Sequence, residues 1–146
     1  MQDRIWTESD FDTMTWHDVI VHGMRFIEGE DGDGALELDI DYILEWIEVG
    51  GHFTLRRQPA TLTFHHVFDL RMSIDFAACS AAFGPLSMDG IERKPGQPSG
   101  SILHAWKIPL NWPIGEITFL STGFEQRSKG EPWISDRANP RSKDQG

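Results

Sequence analysis

Residues 35–46 read "ALELDIDYILEW". Leu36, Leu38, Ile40, Tyr42, Leu44 and Trp46 hold one phase of a two-residue alternation. Glu37, Asp39, Asp41 and Glu45 hold the other. Side chains of a strand point alternately to its two faces, so this pattern predicts a strand with a core face and a wet, acidic face. Near the end, Tyr42, Ile43, Trp46 and Ile47 also fit helical spacing, so a terminal helical turn is the alternative there.

The same period runs outward in both directions. In "DVIVHGMRFIE" (18–28), Ile20, His22, Met24 and Phe26 share a phase. "EGEDGDG" (28–34) supplies the Asp-Gly pairs of a hairpin turn, and Gly50–Gly51 supplies a second turn. In "ATLTFHHVFDLRMSIDFA" (60–77), Leu62, Phe64, His66, Phe68, Leu70, Met72, Ile74 and Phe76 all fall on even numbers. At about 3.3 Å per residue that run is too long for one strand of a small domain. A break or sharp bend is expected near Val67 to Asp69. "RKPGQPSG" (93–100) reads as an exposed loop. "SILHAWKIPL" (101–110) and "IGEITFLSTGF" (114–124) read as further strands. "SDFDTMT" (9–15) offers one short helical turn with Ser9 as N-cap. The prediction is an antiparallel all-β domain over 1–124, a sandwich or open barrel of about seven to eight strands with one N-terminal helical turn. Residues 125–146 read as a polar, mobile tail, with Trp133 and Ile134 as its docking anchor.

Composition narrows the function classes. Six tryptophans and nine phenylalanines give a 146-residue chain the bulk for one core. No apolar run reaches the roughly 20 residues of a membrane span, and no secretory leader is visible. A single cysteine, Cys79, cannot form an internal disulfide, so a reducing cytosol is the expected compartment. The net charge is −10, and residues 1–50 alone carry −12. Such a surface repels phosphate backbones and anionic membranes, which disfavours nucleic-acid and membrane partners and suits a basic protein.

Several clusters are candidates for chemistry. His22, His66 and His104 sit on the apolar phase of three strands. Three neutral imidazoles can hold zinc and leave a position open for water, the basis of an enzyme or ligand-binding barrel as the alternative reading. Glu37, Asp39 and Asp41 form a carboxylate ladder at about 6.6–7 Å spacing. That spacing overlaps the separation in inverting glycosidases, but an open strand offers no cleft. The ladder reads instead as a solvent face paired with Arg25 or Arg71, or as a docking surface for a basic partner. In "WHDV", His17 and Asp18 should point to opposite faces, with Trp16 packing under the helical turn and Asp18 satisfying backbone donors. Asp31 and Asp33 match the first two calcium-loop positions, and Ala35 and Leu36 break the motif. No nucleophile elbow, phosphate loop or dinucleotide fingerprint is present.

"WHDVIVHGMRF", "LELDIDYILEW" and "PATLTFHHVFDLRMSID", spanning roughly 15–77, resemble a group of small, mostly bacterial all-β proteins with a W-H-D start and a V-x-D-L element. More distantly they are similar to all-β immunity proteins of bacterial toxin systems. The resemblance implies a soluble acidic domain that blocks a toxin, and it brings no catalytic residues. The expectation is a non-enzymatic interaction module, its binding face including Glu37, Asp39 and Asp41. A homodimer formed through exposed strand edges is the third option.

Overall fold

The computed structural model describes residues 4–29, 33–75, 86–95 and 102–135. Asp31, Phe76, Cys79 and residues 136–146, on which some expectations above fall, lie outside the described residues. The strands are β1 (Ile5–Thr7), β2 (Val19–Glu28), β3 (Gly34–Val49), β4 (His52–His65), β5 (Phe68–Asp75), β6 (Leu86–Met88), β7 (Glu92–Pro95), β8 (His104–Trp112), β9 (Ile114–Ser121), β10 (Gly123–Ser128) and β11 (Trp133–Ser135). A 3-10 helix, Glu8–Thr13, follows β1.

All pairings are antiparallel, in one open sheet ordered β1-β10-β4-β3-β2-β6-β8-β9-β5, with β11 on β4 and β7 on β8. The all-β reading holds, with eleven strands among the described residues in place of the seven or eight expected. The additional strands are short pieces: β6, β7 and β11 span three or four residues each, too few to leave an alternation. Residues 93–95 belong to β7 rather than to a loop. The 125–146 tail is corrected as well. Gln126 pairs with Leu62 and Trp133 pairs with Arg57, so residues 125–128 and 133–135 are built into the sheet. Among the described residues, no helix is long and apolar enough to cross a membrane.

The decisive stretch is a strand. Leu36, Leu38 and Ile40 oppose Phe64, Leu62 and Ala60, and all six are buried. The alternation does slip before Trp46: a bulge at Leu44 separates the pairs Ile43–Arg57 and Glu45–Arg56. Ile43, just before the bulge, is buried, and Trp46, just past it, is exposed. No helical turn forms there, and the strand continues to Val49. Gly50 and Gly51, both left-handed with φ of 60° and 83°, close the hairpin onto His52.

The expected break in the long alternation is present. β4 ends at His65 and β5 starts at Phe68, with His66 and Asp69 left-handed at φ 52° and 53°. Its antiparallel companion breaks opposite it, where β9 gives way to β10 at Thr122. The imidazole Nδ1 of His66 meets Thr122 Oγ1 at 2.9 Å across this corner. The double bend carries β8 and β9 over β4. Phe64 thereby meets Trp106 at 5.2 Å and Phe119 at 4.8 Å, centroid to centroid, and Trp16 meets Phe124 edge-on at 5.6 Å. Edge-to-face contacts of this kind suit the ring quadrupoles and add to burial.

The N-terminal helix caps differently from the expectation. Thr7, not Ser9, is the N-cap: its Oγ1 accepts from the Ser9 amide at 3.3 Å, and Asp10 accepts from the Thr7 amide at 3.0 Å. Trp16 does pack under this helix, stacked on Phe11 at 5.7 Å.

Candidate functional site

The outer face of β2 and β3 gathers most of the charged groups that the sequence singled out. Arg25 lies directly opposite Glu37, and Gly23 lies opposite Asp39. A Cβ at Gly23 would stand 3.6 Å from Asp39 Oδ2, so the missing side chain leaves room around that carboxylate. Arg25 reaches across it. Its Nη1 and Nη2 donate to Asp39 at 2.8 and 3.0 Å, and its Nε donates to Glu37 at 2.9 Å. This is the bidentate geometry that makes arginine–carboxylate pairs strong. Thr63 Oγ1 donates to the other oxygen of Glu37 at 3.1 Å. Lys129 arrives from the chain beyond β10, where its amide donates to Pro59 O, and its Nζ donates to Asp39 at 2.8 Å. Arg25 and Lys129 hold the Asp39 carboxyl well below the usual carboxylate range. With its proton held so weakly, Asp39 is not placed to act as a proton donor.

Asp41 is the buried end of the ladder. Its Oδ2 lies 2.6 Å from His22 Nε2. The imidazole is raised above its ordinary value, first by this hydrogen bond, with burial opposing and the charges of Asp41 and Asp39 adding. Arg57, fully buried behind β11, donates from Nε to Ser135 Oγ at 3.2 Å. Burial pulls Arg57 below the ordinary arginine range while the Asp41 and Asp18 charges oppose that pull. Of the two arginines expected on this face, Arg25 is there. Arg71 instead pairs with Asp69 on β5, at 3.3 Å.

His22 was expected on the core face and is not. It is the extra residue of a bulge between the pairs Val21–Ile40 and Gly23–Asp39. The bulge turns His22 to the acidic face and brings Val19 and Val21 into the core. His66 is half-exposed at the β4–β5 corner, 3.7 Å from Asp33, and His104 lies edge-on to Trp106 at 6.1 Å. The three imidazoles therefore keep separate company. Among the described residues, no three His, Cys, Asp or Glu side chains are grouped as a metal site. His17 and Asp18 do meet, at 3.4 Å, contrary to the alternation rule. Asp18 is left-handed, with φ 65°, which breaks the alternation at that residue. Its carboxylate accepts from Asn111 Nδ2 at 2.6 Å.

The free end of the β3–β4 hairpin has a different character. Directly opposed residues share a face, so Trp46, Glu48, Phe53 and Leu55 lie on one side. Trp46 is 42% exposed and Phe53 53% exposed, and their rings meet edge-on at 6.2 Å. His17 stacks on Trp46 at 6.5 Å and holds Asp89 at 3.2 Å. Residues 44–55 contain Glu45 and Glu48 but no lysine or arginine. Sequence reasoning assigned Trp46 to the core because the bulge at Leu44 leaves no trace in the alternation. Lys129 carries no signal either, lying 90 residues from its partner. In comparisons with known proteins, no family model, curated protein or solved structure matches the chain.

Proposed function

We propose that this chain is a non-enzymatic protein-interaction module that engages a basic partner through the free end of the β3–β4 hairpin. The observation that carries the reading is the exposed edge-to-face pair of Trp46 and Phe53, with Glu48 on the same face. Rigid aromatic anchors at the centre of a patch, rimmed by charge, are what dominate the energy of protein interfaces. The acidic rim supplies complementarity and a faster encounter with a cationic surface. Glu37, Asp39 and Asp41 lie further down the same strand. Their charges are largely answered by Arg25, Lys129 and His22, so their part is a weaker field and a stiff base for the hairpin. Inhibition of a basic toxin in the manner of an immunity protein is the form of binding favoured by the −12 balance of the first fifty residues and by the sequence resemblance. The single cysteine favours the cytosol as the setting.

Affinity capture from a native lysate tests the reading, with three baits: the unaltered chain, Trp46→Ser/Phe53→Ser, and Phe26→Ser as a control at another exposed aromatic. The expected result is a basic protein retained by the unaltered chain and by the control, weakened by salt, and lost from the double variant. If all three baits hold the same proteins at both salt concentrations, the hairpin end is not the binding surface.

A further inference from the structure

We infer that the outer face of β7, β8 and β9 holds a binding site for a small zwitterion with an apolar body, the class to which a free apolar amino acid belongs. Cross-strand pairing lays out two neighbouring rows on that face. Glu92, Lys107 and Thr118 form one, and Lys94, Ala105 and Leu120 form the next. Trp106 and Phe119, which alternate with them, are buried, so the two rows face outward. Ala105 is the shortest side chain of its row, and the surface sinks between Lys94 and Leu120. The result is a cavity of about 240 Å³, walled on the β5 side by Asp69. Pockets for drug-sized ligands begin at about 300 Å³, so this one suits a molecule the size of a single residue.

The lining carries two acids and two bases, Asp69, Glu92, Lys94 and Lys107, and half of these charges are already answered. Lys107 lies 3.4 Å from Glu116, and Asp69 holds Arg71 at 3.3 Å. Glu92 and Lys94 form no ion pair among the described residues. They stand two residues apart on one strand face, about 6.6–7 Å along the backbone, so their flexible heads can meet the two ends of one small molecule. An ammonium group suits Glu92 and a carboxylate suits Lys94, while an apolar side chain fits over Ala105 against Leu120. The net charge of −10 opposes a plain anion and draws a plain cation to many places on the surface. A ligand with both charges uses both unanswered groups here. Glu92 and Lys94 are exposed, so the affinity is millimolar rather than micromolar.

Titration of the full, isotope-labelled chain with L-phenylalanine, followed by NMR, tests the inference. Saturable shifts should centre on Lys94, Ala105 and Leu120, with a dissociation constant in the millimolar range. N-acetyl-L-phenylalanine lacks the cation and L-phenylalaninamide lacks the anion. Each should bind about two- to five-fold more weakly, the worth of one exposed ion pair. Glycine, with no apolar body, should give no saturable shift. Ala105→Leu fills the cavity and should abolish saturation. Glu92→Gln and Lys94→Gln should each weaken L-phenylalanine binding as the analogues do. Circular dichroism confirms that each variant is folded; Glu92→Gln and Lys94→Gln alter exposed side chains and carry the test should Ala105→Leu misfold. No saturable shift in the unaltered chain overturns the inference. So does binding that survives Ala105→Leu in a folded chain or is indifferent to Glu92→Gln and Lys94→Gln. An analogue lacking either charge that binds as tightly as L-phenylalanine overturns it too. None of these results bears on the hairpin end, which lies on other strands.

Discussion

His22 Nε2 lies 2.6 Å from Asp41 Oδ2, joining a half-exposed imidazole to a carboxylate that is almost wholly buried. The groups facing this pair are Asp39 and Lys129 on the outer side and Arg57 from β4. The imidazole's affinity for its proton is raised on folding, so the folded state binds that proton more tightly than the unfolded chain. The stabilisation is then complete below the ordinary histidine value of about 6.5 and lost as pH rises through the higher folded value. Denaturant unfolding of the unaltered chain and of His22→Gln, between about pH 5.5 and 8.5, checks the sign. The stability difference between the two should shrink as pH rises. An NMR titration should place the His22 midpoint above the ordinary value and return it downward in Asp41→Asn.

Asp39 behaves in the opposite sense. Its proton affinity is lowered on folding, chiefly by Arg25 and then by Lys129. Its contribution is present above the ordinary aspartate value of about 3.9 and disappears only as pH falls through the lower folded value. The stability gap between the unaltered chain and Asp39→Asn should stay level from pH 7 down to about 4.5 and close below that. A gap already absent at pH 7 would mean that the Arg25 bridge does not persist in solution.

Zinc gives a check on the histidines. His22 is engaged by Asp41, His66 by Thr122, and His104 rests against Trp106. A ligand that binds only the folded state raises stability in proportion to the logarithm of its concentration over its dissociation constant. Zinc added to the untagged chain should leave the thermal midpoint where it is. A rise abolished by His22→Gln, His66→Gln and His104→Gln together would restore the three-histidine reading.

Much of the fold was legible because long alternations survive in the sequence. Leu36 to Ile40 and Ala60 to Phe64 are read correctly from period two alone, since both strands keep one face in the core over consecutive pairs. The corner after His65 was legible from length, because a strand of that reach has nothing to pair with in so small a domain. The bulges at His22 and Leu44 were not legible. Each inserts one residue and reverses the faces beyond it, yet the sequence shows the same alternation on either side. That single effect placed His22 in the core and hid the exposed Trp46. The cross-strand match of Arg25 to the ladder could be named from charge. Lys129 could not, because its approach depends on where β10 ends.

Inside the core, Trp16 Nε1 donates to Gln126 Oε1 at 2.8 Å, and both residues are buried. Gln126 Nε2 has no hydrogen-bond partner among the described residues. The amide is therefore tolerated largely for its bond to Trp16. Trp16→Phe leaves the Oε1 atom without its donor and should cost about 1–3 kcal/mol from that alone, with a further penalty for the lost ring volume. Gln126→Leu strands the indole N–H instead. The double variant should be less damaging than the sum of the two, because it removes both polar groups together. A double-mutant cycle in urea should show a coupling of about 1 kcal/mol or more. Strict additivity would place water, rather than Gln126, at the indole.

The corner that turns β4 into β5 depends on Asp69 as a backbone choice. Its φ of 53° lies in the left-handed region, which aspartate and asparagine tolerate and β-branched residues do not. Asp69 also accepts from Arg71 at 3.3 Å, but that pair is exposed and contributes little. Comparing substitutions that all lose the ion pair separates the two effects. Asp69→Gly removes the Cβ conflict and adds chain entropy to the unfolded state, so it should be close to neutral. Asp69→Val cannot relax without moving the bend, and it should be less stable than Asp69→Gly by about 1–3 kcal/mol. The bend is what lays β8 and β9 across Phe64, so the valine variant should also lose near-ultraviolet dichroism from the Phe64–Trp106 contact before it unfolds globally. Equal urea midpoints for the valine and glycine variants would show that the chain turns this corner without needing a left-handed residue at position 69.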